Sequence, residues 1–168
     1  MQSPANVDNI VVHFSDIEDD GSWHYPNSAE TFALGAAFSE KFNLMRIGVH
    51  HERLPPGRRL SWPHAEADEE EFVYVIAGTP DLWLDGNLKR LREGDGVGFP
   101  AGTGIVHTFI NNTAEDVRLL VVGEASRKRS RLDYPLHPAR NTEIGKRHWK
   151  DRPVRRLGAH SGLPDRQK

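Results

Sequence analysis

The chain has 168 residues, no cysteine and a formal net charge of −2. That length suits one domain with one core. The missing cysteines exclude disulfides, thiolate metal sites and cysteine nucleophiles, so a metal would have to be held by His and carboxylate side chains. Charge is split along the chain: residues 1–124 carry 9 Lys+Arg against 20 Asp+Glu, net −11, and residues 125–168 carry 13 against 4, net +9.

The N-terminus has neither a basic region nor an apolar run, and no stretch is long and apolar enough for a membrane span; this reads as a cytoplasmic protein without membrane association. Residues 1–42 read as a segment covering the domain, in which Ser28 to Leu34 is either a short helix or an edge strand. From residue 43 to 124, short apolar runs are cut by Gly, Pro, Asn and Asp, the pattern of an all-β sandwich or barrel. Strands are predicted near 43–50, 58–64, 71–76, 81–85, 88–91, 97–99, 104–111 and 117–123. The surest hairpin spans Leu82 to Leu88, because Asp85-Gly86-Asn87 accepts the positive φ of a tight primed turn. Phe72 to Ile76 and Val117 to Val122 are apolar on both alternating faces, so each needs a cover outside as well as inside. A second subunit, giving a homodimer, and the terminal segments compete for that role. Residues 125–168 read as an extended basic arm. Its basic charge is broken by prolines and acids, which favours a tail lying on the acidic barrel of its own chain or a partner over nucleic-acid binding.

Two segments carry the chemistry. In the run from Gly57 to Phe72, His64 and Glu66 stand two apart, so on a strand they share a face, and a turn through Ala67 to Glu70 brings Glu71 toward the same place. The competing reading is a solvated acidic loop. In the run from Gly94 to Asn111, Ile105, His107 and Phe109 share a face, which sets one imidazole among apolar residues. Alone, His107 would read as a core histidine. Beside the first segment, it reads as a metal ligand.

These two segments resemble the paired motifs of the cupin superfamily. Gly57, His64, Glu66, Glu71 and Gly78 follow the first motif, with Glu66 standing where a second His is usual, and Gly94, Pro100, Gly102, His107 and Asn111 follow the second. The resemblance implies a double-stranded β-helix, or jelly-roll barrel, with an extended C-terminal arm. It also implies one divalent metal (Zn, Fe, Mn or Ni) held by His64, Glu66, Glu71 and His107, or by His64, Glu71 and His107 alone if Glu66 turns away. The closest-looking members are compact single-domain cupins described as sugar-phosphate-isomerase-like. That suggests an enzyme acting on a small polar substrate, with Glu66 or His107 moving a proton. Arg46, His50, His51, Arg58 and Arg59 are the candidate substrate contacts. An iron- or nickel-dependent oxygenase, a non-catalytic small-molecule sensor and a metal-free structural role are the alternatives.

Overall fold

The computed structural model describes residues 10–125 and 130–165. Its regular elements are β1 (Leu34–Ala37), α1 (Phe38–Lys41), β2 (Ile47–Leu54), β3 (Ala65–Glu66), β4 (Glu71–Ala77), β5 (Asp81–Leu84), β6 (Asn87–Arg90), β7 (Gly96–Phe99), β8 (His107–Ile110), β9 (Val117–Glu124), β10 (Leu132–Asp133) and α2 (Pro138–Ile144). A five-stranded sheet runs β1-β2-β9-β4-β7, a three-stranded sheet runs β6-β5-β8, and β10 pairs with β3. All named ladders are antiparallel. This is the all-β class that the alternation predicts, in the jelly-roll architecture that the motif resemblance implies. No helix among the described residues is long and apolar enough to cross a membrane.

Between the sheets, Leu54, Val73, Val75, Leu82, Leu91, Phe99, Phe109, Val117 and Leu119 form the main core. Most of them sit at alternate positions, with Val73 and Val75 on β4 and Val117 and Leu119 on β9, so the period of two drives one row of each strand inward. The β5–β6 hairpin turns through Asp85 (φ +45°) and Gly86 (φ +82°), the two consecutive positive φ values of a primed turn.

Several expected boundaries differ. The strand expected at 43–50 runs Ile47–Leu54. Segment 58–64 forms no regular strand: it meets β8 through isolated bridges, Arg59 to Ile110 and His64 to His107, and through hydrogen bonds between Ser61 and the Thr108 hydroxyl. Pro63, which has no amide hydrogen, breaks the ladder there. Within Ser28 to Leu34 no helix forms; the edge strand β1 begins at Leu34 itself. The C-terminal arm is not wholly extended, because Pro138 at the first helical position opens α2.

The two ends of the chain cover different surfaces. The N-terminal segment reaches the edge of the large sheet, where Glu18 bridges to Ala36 and Phe14 stacks on His51 at 4.0 Å. The arm covers the outer face of the small sheet: Trp149 packs with Ala65, Trp83, Val106 and Ile110. It is pinned by ion pairs Arg131–Asp68 (2.8 Å) and Arg155–Asp85 (2.6 Å). Gly158 donates to the Asp85 carbonyl at 2.7 Å, an approach so close that a side chain at Gly86 or Gly158 would collide with backbone. Among the described residues nothing covers Phe72, Tyr74 and Ile76, which stay exposed on the outer face of β4.

Candidate metal and substrate chamber

At one end of the barrel the apolar core gives way to a chamber of about 650 Å³, within the range of small-molecule sites. His64, Glu71 and His107 line it together with His50, Glu52, Asp19 and Glu40. Parity explains the set. On β2, His50 and Glu52 share the inward row with Leu54, while His51 and Arg53 point outward. On β4, Glu71 shares the inward row with Val73 and Val75. On β8, His107 faces in beside Phe109, its ring stacked on Phe99 at 3.6 Å.

The imidazoles are oriented from behind. His64 Nδ1 lies 2.8 Å from the Trp62 carbonyl, which can only accept, so Nδ1 carries the proton and Nε2 keeps its lone pair. His107 Nδ1 faces the Ile105 carbonyl at 3.4 Å, and its Nε2 lies 3.3 Å from Glu71 Oε1. His107 is 2% exposed, and that Nε2 has no hydrogen-bonded partner. The two His rings lie 5.2 Å apart. His64 is pulled down to about 4 by burial first and by His107 next, which outweigh Glu71 and the Trp62 carbonyl, so it is neutral at physiological pH. Burial pushes the Glu71 carboxyl up, but the His107 imidazole beside it, with His64 and His50, brings it below the usual carboxylate value.

Glu52 and Asp19 form the chamber's second acidic feature. A methyl group at Gly35 would stand 3.3 Å from Asp19 Oδ2 and 3.4 Å from both Glu52 carboxylate oxygens, so the two carboxyls converge over that glycine. Asp19 Oδ2 also accepts from the Gly35 amide at 3.1 Å. Burial, and then Asp19, Glu71 and Glu18, push Glu52 up to about 8. Sequence reasoning missed Glu52; the visible signal was its two-residue spacing from His50, hidden when the strand was placed four residues early.

The remaining predicted residues are distributed otherwise. Glu66 does not line the chamber; it lies in an adjoining groove with Glu69, Glu70 and Glu71, pushed up to about 8 by burial and by Glu71 and Glu69. β3 pairs with β10, Glu66 opposite Leu132, and that partner sets its direction. His51 faces outward under Phe14. Arg59 is 1% exposed and holds Glu30 at 2.6 and 2.8 Å and the Gly162 carbonyl at 2.9 Å, so it ties both ends of the chain to the barrel rather than facing a substrate. Arg58 donates to the Phe32 carbonyl, and Arg46 is exposed outside the chamber.

The donor chemistry of the chamber suits a divalent cation: a neutral imidazole with a free Nε2, a second buried imidazole whose Nε2 is unpartnered, and a carboxylate against it. Among the described residues no three His or carboxylate side chains are already gathered tightly enough to hold an ion, so binding one requires the side chains to move from the positions described.

Comparison with known proteins agrees with this architecture. Residues 50–123 match the cupin domain family model. An uncharacterized protein of Aquifex aeolicus is 38% identical over 60 residues, which is 36% of this chain and only about half, 47%, of that protein. A putative sugar phosphate isomerase from Acidithiobacillus ferrooxidans superposes with a TM-score of 0.67 at 25% identity, over 77% of this chain and 83% of the other. A cupin-superfamily sugar phosphate isomerase from Silicibacter pomeroyi superposes with a TM-score of 0.58 at 30% identity, over 61% and 64%. The barrel of this chain has the cupin fold, and residues 50–123 within it match the cupin domain family.

Proposed function

We propose that the chamber binds one divalent metal through His64, Glu71 and His107 and is the active site of an enzyme on a small polar, sugar-sized molecule, with isomerisation the favoured reaction. The observation that carries this reading is the buried His107 Nε2, which makes no hydrogen bond and faces Glu71 Oε1 at 3.3 Å, in a chamber that also takes in His64. A metal there would polarise substrate oxygens. The protein's own part is to hold His64 in one tautomer through Trp62, to keep His107 flat against Phe99, and to offer the Glu52 carboxyl as the group that moves a proton. Both named structural relatives above are described as sugar phosphate isomerases, which favours isomerisation. The two-His-one-carboxylate set also suits iron in an oxygenase, which would consume oxygen in step with turnover.

The test is elemental analysis of protein purified without added metal, beside His64→Ala and His107→Ala. About one equivalent in the parent protein and none in either variant supports the site. Unchanged stoichiometry in both variants refutes it.

The same reading pairs two chains through the Phe72, Tyr74 and Ile76 row, an apolar strip left exposed among the described residues. Light scattering should then give a dimer for the parent chain and a monomer for Tyr74→Glu.

A further inference from the structure

The two isomerase relatives are named for phosphorylated sugars, yet this chamber is built against a phosphate. Its described lining holds four carboxyl side chains, Asp19, Glu40, Glu52 and Glu71, and neither lysine nor arginine. Of the cationic contacts that the sequence offers for a phosphate, Arg46, Arg58 and Arg59 are placed elsewhere, and Arg127, Lys128 and Arg129 of the basic arm lie outside the described residues. Arg59 is saturated by Glu30 and Gly162, Arg58 reaches the Phe32 carbonyl, and Arg46 lies outside. Arg53, next to Glu52 in sequence, points outward to Glu18 and Asp116. A phosphate dianion in this space would meet carboxyl groups on several sides, with no lysine or arginine among the described lining residues to receive it.

We infer that the chamber selects an unphosphorylated, uncharged or amine-bearing sugar, recognised by the Asp19–Glu52 carboxyl pair that converges over Gly35. This rests on the reading of the chamber as a metal-dependent substrate site. The acidic lining does not stand alone as the sign of a ligand: His107, 2% exposed and with Nε2 unpartnered, is aimed into the same space. Paired carboxyls are suited to such a sugar. Carboxylate oxygens accept from vicinal hydroxyls, a protonated partner donates to a hydroxyl or ring oxygen, and an ammonium group would be held by charge. Trp23, Phe32, Leu60 and Phe109 supply the apolar wall against which the carbon face of a sugar can lie.

The experiment is titration calorimetry on the full-length, metal-loaded protein with glucose, glucosamine and glucose 6-phosphate, and with inorganic phosphate as a fourth probe. Metal content is measured on the same sample. Glucosamine and glucose should bind at least about tenfold more tightly than glucose 6-phosphate, and inorganic phosphate should not bind in the chamber. Asp19→Asn combined with Glu52→Gln should shrink that gap to about threefold or less by removing the repulsion. Asp19→Asn alone, a near-isosteric change, should shrink it in the same direction if the pair of substitutions fails to fold. Glucose 6-phosphate binding as tightly as glucose, or the absence of binding by both unphosphorylated sugars, overturns the inference. If either happens while one equivalent of metal is retained, only the substrate class falls. Loss of the metal itself counts against the proposed function.

Discussion

The two ends of the barrel solve opposite problems with the same strands. One end is closed by Leu54, Val75, Leu82, Val117 and Leu119, an apolar plug that gains stability from burial. The other encloses three imidazoles and four carboxyls, groups that lose solvation there and are poorly repaid by protein partners. β2 shows the contrast in three steps inward, His50, Glu52 and Leu54, passing from chamber to plug along one row. The plug holds the barrel together, while the chamber buries polar groups at a cost in stability.

Four measurements would break or sharpen that contrast. The largest effect is expected from His107→Ala, which should weaken metal binding by roughly 100-fold or more, beyond the loss expected for a residue that merely supports a ligand. Its circular dichroism should stay that of the parent. Next, Leu119→Ala in the plug should lower unfolding free energy by about 3 kcal/mol in denaturant titration while metal stoichiometry is unchanged. If it strips the metal as well, plug and chamber are not separable.

The third prediction concerns pH. Glu52 holds its proton up to about 8 in the folded protein, whereas an unfolded glutamate releases it near 4.5. Between those values the folded state binds more protons than the unfolded state, so stability falls as pH rises through this window. Glu52→Gln abolishes that contribution. In metal-free protein its melting temperature should match the parent at pH 5 and exceed it at pH 9 by about a few degrees. Glu66 has the same direction of shift, so a shallower decline should persist in the variant. Equal melting temperatures at both pH values would place Glu52 in a more solvated setting. The smallest effect belongs to Arg46→Ala: stability should change by no more than about 0.5 kcal/mol, and affinity for any chamber ligand should not change. A drop in affinity would restore Arg46 as a substrate contact.

The barrel was legible in the sequence because its cause is local. Alternation over Phe72 to Ile76 and Val117 to Val122, and Asp85-Gly86 at the hairpin, fix strands and turn from neighbouring residues alone. His64, Glu71 and His107 were legible by motif, and the structure brings all three to one chamber. Glu66 was not, because the rule that residues two apart share a face holds only along a regular strand. Pro63 ends regularity just before His64, and β3 takes its direction from β10, a partner some 66 residues away along the chain. Arg59 misled for a related reason: a charged residue beside a motif looks available until Glu30, 29 residues earlier, is folded against it.

By itself, then, the sequence determined the all-β class, the hairpin and the three residues now placed at the chamber, since period and turn chemistry act over a few residues. Tertiary structure alone decided that Glu66, Arg46, Arg58 and Arg59 stand outside, that Asp19 and Glu52 meet over Gly35, and that the described chamber lining is acidic. Those outcomes depend on which distant segments pack together, and packing between distant segments leaves no period in the chain.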